Sequence, residues 1–518
     1  MIAIMTGLLF AALNQTIIGT AMPRIIAKLG GMEYYSWIFT MYMLTSSIAV
    51  SLVGKLSDIY GRKLFLLAGL TVFMAGSLLS GLANTIFDLI VYRGVQGLGG
   101  GMIMSTALAS VGDLFTPRER GRWQGLLGAV FALASIIGPV TGGYIVDHFE
   151  WHWVFWVNLP VGIVAFGLIA TLFPQVKGEK EPVDFAGAFF LTATLIPLLL
   201  ALSWAGIDYP WTSPTIAGLF TAAGVALVLF IWTESRAASP IVPLHLFRNS
   251  IFTITNIIGF LTFIGMFGTT MFIPLFVQGI IGVSATYSGL VLIPLMLSNV
   301  TANAISGQIT SRTGKYKIMV ITGAAILSAG IYLLSCMDIN TTNAEAVRNM
   351  IITGIGLGIT MPLTILIVQN AVPYRLLGVA TSTAQLFRSL GGTVGVAVMG
   401  TVLVGRMNVE MAKNMPATAK QFASSHHLAL LHNPQALLDP GTINRIRASL
   451  PPEMMGAFRE VMAALKQSLA VSLEQVWLCA LVAVGIALVL SFFVKEIPLQ
   501  DTASTPSRQD ATKRQFPA

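Results

Sequence analysis

Charge is the scarcest commodity in this 518-residue chain. Only 10% of its residues are Asp, Glu, Lys or Arg, against about 25% in an ordinary soluble protein. With 55% hydrophobic residues and a mean hydropathy of +0.78, a water-soluble globule is excluded and an integral membrane protein is expected. Cysteine is nearly absent: Cys336 and Cys479 each lie in or near an apolar run, which excludes a disulfide framework and a cysteine metal cluster. Histidine offers no metal site either. His148 and His152 are four apart but lack a third ligand, and His426, His427 and His432 lie in a long polar segment. The chain has no Gly-x-x-x-x-Gly-Lys-Ser/Thr phosphate loop, no Gly-x-Gly-x-x-Gly after a strand and no His-Glu-x-x-His. ATP drive, an organic cofactor and enzyme chemistry are therefore not expected. The net charge of +8 sits in short loops between apolar runs, the positive-inside pattern rather than a nucleic-acid stripe.

Fourteen apolar runs of about 20 residues or more predict an all-α membrane fold: 2–22, 37–56, 64–84, 87–111, 123–146, 153–173, 184–204, 214–233, 250–278, 285–309, 317–337, 346–369, 378–404 and 473–495. The first is long enough to span and reads as a membrane helix, not a cleaved leader. With the loop at residues 54–63 placed in the cytoplasm, the inner loops and tail carry eighteen lysines and arginines, and the short outer loops carry three: Arg24, Lys28 and Arg348. That bias predicts two cytoplasmic termini. Residues 405–472 form one long outer insertion in which Pro451–Ala470 reads as an amphipathic helix, with Met454, Phe458, Met462 and Leu465 on one face. The polar tail 496–518 reads as disordered and cytoplasmic.

The charges that remain are patterned. Gly54-Lys-Leu-Ser-Asp58-Ile-Tyr-Gly61-Arg62-Lys63 links two apolar runs, with two glycines seven apart and Asp58 four residues before Arg62, a spacing at which they pair on a helix. An echo follows at Gly307–Lys317, with Gly307 and Gly314 again seven apart, Arg312 retained and Ser311 in place of the acid. A repeated gate loop is what a two-halved transporter shows. Arg93-Gly-Val-Gln96-Gly97 places an arginine inside the fourth run, where it is expensive unless it pairs or lines a wet cavity. Gly128 and Gly138-Pro139-Val-Thr-Gly142-Gly143 allow the fifth run to bend and pack closely. Trp151-His-Trp153-Val-Phe-Trp156-Val-Asn158-Leu-Pro160 and Arg388-Ser-Leu-Gly391-Gly392-Thr-Val-Gly395 complete the set.

In order and position these segments resemble the motifs of the major facilitator superfamily. Gly54–Lys63 resembles its signature loop between the second and third helices. Arg93–Gly97 resembles its Arg-x-x-Gln-Gly motif, whose arginine is implicated in proton coupling. Gly138–Gly143 resembles the antiporter motif of its export branches. The tryptophan stretch and Arg388–Gly395 resemble the 14-helix EmrB/QacA-type drug:proton antiporters, with His152 where an arginine is usual. The resemblance covers about residues 1–500. It implies a major facilitator fold with two six-helix bundles (1–175; 250–404 with 473–495), two inserted helices between them (184–233) and an extracytoplasmic loop or hairpin at 405–472. It further implies a monomer in a bacterial cytoplasmic membrane that exports lipophilic or cationic drugs or dyes by alternating access, driven by the proton gradient. Export of one lipid, peptide or siderophore-like metabolite, or a non-transporting scaffold or sensor, are the alternatives.

One departure bears on energy. Leu13-Asn14-Gln15-Thr16-Ile17-Ile18 has an amide where the family usually has Asp, and an amide cannot cycle a proton near neutral pH. Asn14, Arg93 and Asp113 are the coupling candidates. Three readings stay open: an end-located acid such as Asp113 serves, the chain is uncoupled, or an Asp-to-Asn change traps one state. Weakened coupling is favoured. Substrate-cavity candidates are Gln15, Tyr42, Gln96, Met104 and Phe131 in the first half, and Phe263, Phe267, Gln278, Asn299 and Asn303 in the second. Gly54, Asp58, Gly61, Arg62, Lys63 and Arg312 are the candidate inner gate. If the gate reading holds, Asp58→Asn impairs drug efflux without lowering the yield of folded protein; normal efflux by that variant contradicts it.

Overall fold

A computed structural model describes residues 1–114, 117–174, 184–205, 209–237, 240–242, 244–373, 376–414, 448 and 455–498; the side chains of 51, 54, 55, 58, 59, 111–114, 117–122, 124, 125, 203, 378 and 457 are also outside the described set. The first half holds α1 (Ile2–Leu29), α2 (Tyr35–Tyr60), α3 (Arg62–Gly81), α4 (Ile86–Leu114), α5 (Pro117–His148), the short α6 (Trp153–Trp156) and α7 (Leu159–Leu172). The inserted pair is α8 (Phe185–Trp204) and α9 (Pro214–Arg236). The second half holds α10 (Ser250–Phe276), α11 (Ala285–Thr313), α12 (Lys317–Ser335), α13 (Asn343–Asn370), α14 (Leu377–Asn414) and α15 (Met455–Phe493). Counting α6 and α7 as one interrupted helix, these are the fourteen helices of the expected fold. Among the described residues, twelve are long and apolar enough to cross a membrane by composition. Of the other two, α2 includes side chains outside the described set, and α4 carries Arg93 and a glycine run.

The helices start where side chains supply the missing backbone acceptors. Asp184, Ser213, Asn249 and Ser284 cap α8, α9, α10 and α11, and Thr342 with Glu345 forms a capping box on α13. The breaks at the ends of α2 and α11 come from Gly61 (φ 98°) and Gly314 (φ 69°), a left-handed backbone that only glycine adopts without strain. The segment 54–63, expected as a loop, is helix up to Tyr60 and helix again from Arg62, hinged on one glycine.

The halves repeat the same packing. In the first, α1 packs on α5 and α7, and α4 lies between α2 and α3; in the second, α10 packs on α14 and α15, and α13 lies between α11 and α12. Glycines set these spacings. A Cβ on Gly99 would lie 2.4 Å from the Phe73 backbone nitrogen, and one on Gly356 would lie 2.4 Å from that of Leu327. The glycine run of α4 (Gly97–Gly101) therefore has a counterpart in Gly354-Ile-Gly356-Leu-Gly358 of α13, a repeat as informative as the gate echo.

The last two helices are longer than their apolar runs. α14 has 38 residues and α15 has 39, about 57–59 Å at 1.5 Å per residue, against a hydrocarbon core of about 30 Å. The stretch read as a separate amphipathic helix is, from Met455 on, the beginning of α15. Its apolar stripe, with Phe458, Val461, Leu465 and Leu469 buried, packs beside α14, where Asn414 Nδ2 donates to Ser468 Oγ at 3.3 Å. Residues 415–447 and 449–454 lie outside the described residues.

Gly99→Leu and Gly356→Leu should each lower the melting temperature in detergent, since overpacking a close helix contact costs at least about 1–3 kcal/mol. Gly218→Leu, on a helix surface with nothing within 4 Å, should leave it within error.

Candidate functional site

The halves meet through α5 with α11 and α14 with α2, a pair of contacts related by the internal repeat. Among the described residues their closest approaches cluster at one end, opposite the Gly61 and Gly314 hinges. A Cβ on Gly143 would lie 2.2 Å from the Ala285 carbonyl oxygen, and one on Gly289 would lie 2.3 Å from the Pro139 carbonyl oxygen. Gly400 meets Ser36, Tyr35 Oη donates to the Met271 carbonyl at 2.9 Å, and Gln278 Nε2 donates to the Thr20 carbonyl at 2.9 Å. Asp147 fastens this end. Its carboxylate accepts from Ala285 N at 3.3 Å, Thr286 N at 2.7 Å and Thr286 Oγ1 at 2.5 Å, and Arg24 lies 3.5 Å away. An acid of the first half thus sits on the positive end of a helix of the second.

Toward the hinge end α11 loses cover. Its buried residues run Ala285, Ser288, Gly289, Val291, Leu292 and Leu295 near its start, then only Ala302, Ser306 and Thr310, a single stripe at every fourth position. Between the splayed helices lies a cavity of about 600 Å³ lined by both halves. Gln15, Tyr42, Met104, Phe131, Phe263, Phe267, Asn299 and Asn303 line it. So does Gly128, which has nothing within 4 Å and thus opens space instead of packing.

Two cavity candidates are elsewhere. Gln96 is fully buried between α3 and α4, where its Nε2 donates to Ser77 Oγ at 2.6 Å and its Oε1 accepts from Arg93 Nη1. Gln278 belongs to the closed end through its bond to Thr20. Both are drawn off the wall because a buried amide must find partners.

Arg93 is 1% exposed, with its guanidinium 4.2 Å from the centroid of Tyr42, so it reaches the cavity only through that ring. Asn14 is not on the wall at all. The cavity face of α1 is Leu8, Ala11, Ala12, Gln15, Thr16 and Gly19. Asn14 lies on the opposite side of α1, nearer to Gly7 and to Phe10, which stacks edge-on with Phe73. It is fully buried, and neither of its polar atoms has a partner among the described residues. Asp113 and Asp58 lie outside the described side chains. Arg62 is 9% exposed and donates from Nη1 to Ser57 Oγ at 2.6 Å, tying α3 back across the Gly61 hinge, and Lys63 is half-buried. Arg312 of the echo is exposed.

The antiporter-motif residues do two jobs. Gly138 and Gly142 bring α5 onto α1, where Thr16 Oγ1 donates to the Ala134 carbonyl at 2.9 Å and Thr20 Oγ1 to the Pro139 carbonyl at 2.8 Å. Pro139 and Gly143 make the cross-half contact with α11.

Two pseudo-symmetric six-helix bundles around a central cavity, with paired glycine hinges, are now in view, and residues 4–396 match the family model described as Major Facilitator Superfamily. The chain belongs to the major facilitator superfamily. Among relatives of this superfamily member, the multidrug transporter protein MdtP of Bacillus subtilis is 41% identical over 96% of this chain and 94% of its own. Multidrug resistance protein 3 of the same organism is 34% identical over 97% and 96%. The fold is similar to that of an inward-facing, occupied bacterial homologue of the lysosomal transporter Spinster, with a TM-score of 0.61 at 14% identity over 97% of this chain and 98% of that one. It is a multi-pass membrane transporter, not an enzyme.

Two residues of the site were not singled out for it by sequence: Arg388, which lines the cavity, and Asp147. Arg388 stood in a motif whose register on α14 was unknown, and the partner of Asp147 is 139 residues away.

Removing the carboxylate that caps α11 should release the closed end. In a background without Cys336 and Cys479, spin labels at Tyr144→Cys and Tyr287→Cys should report one short distance. Adding Asp147→Ala should populate a longer one on the order of tenfold more, as expected for loss of a charged hydrogen bond worth about 1.5–3 kcal/mol. An unchanged distribution contradicts the latch.

Proposed function

We propose that the protein exports lipophilic drugs across the bacterial cytoplasmic membrane by alternating access, acting as a monomer. The observation that carries this reading is the cavity between the halves, about 600 Å³ and lined by both, shut at the Asp147 end and uncovered toward the hinge end. Its size is that of a drug-binding pocket, and its walls are rich in Met and Phe, which adapt to many apolar shapes. The lysine and arginine bias puts the hinge end in the cytoplasm, so the conformation described is the one that loads from inside. Relatives named as multidrug transporters over nearly the whole chain support the same substrate breadth.

In the transport cycle the α5–α11 and α2–α14 contacts separate while the hinge end closes. Asp58, Arg62 and Lys63 latch that inner face, and Pro139 with Gly143 seals the outer one against leak. The proton gradient is the energy source, with Arg93 relaying a protonation event to the cavity through Tyr42. Coupling is weak because Asn14 cannot ionise and its face of α1 is turned away from the cavity.

Efflux of a panel of chemically unrelated lipophilic dyes is the test, in cells stripped of other pumps and in vesicles with and without a proton gradient. Lowered accumulation of several dyes supports the reading; a single trapped metabolite, or no transport at all, overturns it. In the same vesicles Asn14→Asp should raise drug-induced proton flux above that of the native chain, and equal, robust flux from both contradicts weak coupling.

A further inference from the structure

The cavity carries charge of one sign. Among the described residues that line it there is no Asp or Glu, and the single charged side chain is Arg388. It lies about eleven residues into α14, about 16 Å along the helix from its start, well inside the membrane span. Arg388 is 5% exposed, so its charge is largely removed from water. One nitrogen, Nη2, is occupied: it donates to the Met361 carbonyl and to Thr364 Oγ1. Nε and Nη1 have no acceptor among the described residues; Nε lies beside Gly259, 3.8 Å from where a Cβ on that glycine would be, and the residue lines the cavity. The aliphatic stem lies against Gly259, and the guanidinium is 5.4 Å from the ring centroid of Phe263, which also lines the cavity.

Both guanidinium edges that chelate a carboxylate include Nη2, which is already bound, so what Arg388 offers an anion is its charge and the single free donor Nη1 for one charge-assisted hydrogen bond. No carboxylate among the described residues pairs with it. The first half adds to the field: Arg93, also without a described carboxylate partner, lies behind Tyr42 on the opposite wall. The same cavity offers apolar surfaces, from Phe267, Met266 and Met361, and the neutral polar groups of Gln385 and Ser389. The chemistry is that of a site for a molecule with an apolar body and one anionic head.

We propose that Arg388 is the anion-binding point of the transport cavity, and that the preferred substrates are lipophilic carboxylates rather than lipophilic cations. This rests on the export reading above and specifies its substrate class. Positive charge on one wall and behind Tyr42 on the other disfavours the cationic drugs that sequence resemblance includes, because a cation in a low-dielectric cavity with no counter-charge is expelled.

Binding, measured apart from transport, tests it. Three fluorescent probes share one dansyl-tagged eight-carbon chain and end in a carboxylate, its methyl ester or a primary amine. They are titrated into the full-length protein in nanodiscs of zwitterionic lipid, with protein-free nanodiscs as baseline. The native chain should bind the carboxylate at least about tenfold tighter than the ester or the amine, as one charge-assisted hydrogen bond allows. Arg388→Gln should bring carboxylate binding down to that of the ester, and Arg388→Lys should keep part of the preference. Amine binding as tight as carboxylate binding in the native chain overturns the proposal without recourse to any variant, and so does a preference that survives in Arg388→Gln. Carboxylate preference without efflux of any probe would leave the site standing and sink the export reading. Efflux of the amine with no carboxylate preference would do the reverse.

Discussion

The architecture depends on one close backbone contact between halves. α5 and α11 approach until Gly143 touches the Ala285 carbonyl and Gly289 touches that of Pro139. Helices in lipid have no hydrophobic drive to associate, so small residues and polar clasps must supply the attraction. Here the clasp is Asp147 on the first turn of α11, and the small residues are the antiporter-motif glycines. A contact made of backbone and one carboxylate has few ways to be half formed. Such a contact suits the alternating-access reading proposed above, in which Pro139 and Gly143 seal the outer end.

Within each half the same economy of bulk appears in α4 and α13, held between two neighbours by glycines spaced on alternating sides. Tight packing there makes each bundle a rigid body, while single glycines at 61 and 314 hinge the gate segments. Rigid halves joined at a closable seam concentrate motion at the seam, and the cavity volume is what the seam leaves when one end is shut. The inserted α8–α9 pair packs on α14 and α2 through α8, beside the second seam and not across the first.

How far the sequence carried this was decided by range. Helix number, order, the halves and the gate glycines follow from hydropathy runs and short motifs, because each depends on neighbours within a few residues. The cavity faces of α1, α4 and α5 are legible too: Gln15, Met104 and Phe131 line the wall. What failed needed register or distant partners. Gln96 and Gln278 are polar and midspan, yet each found a hydrogen-bond partner away from the cavity. Asp58 and Arg62 are four apart with the Gly61 hinge between their helices, and the side chain of Asp58 lies outside the described set. The run ending near 404 and the amphipathic stretch after 451 appeared as separate elements because polar residues interrupt the hydropathy, although the helices α14 and α15 continue through them.

Asn14 changes meaning once its direction is known. If that position lined the cavity, an acid there would meet the substrate, and coupling would be direct competition between proton and drug. Asn14 is instead fully buried and absent from the cavity wall. An ionised group there would have to be paid for by the bundle's own packing, so protonation would act on how tightly α1 sits against α4 and α7. An amide removes that dependence, leaving a neutral side chain whose two polar atoms lack partners among the described residues, a standing cost of about 1–3 kcal/mol. The cavity's own charge, fixed by Arg388 and by Arg93 behind Tyr42, is then independent of α1. An anionic substrate would compensate it directly, and its arrival would discharge the seam region before the halves close over it.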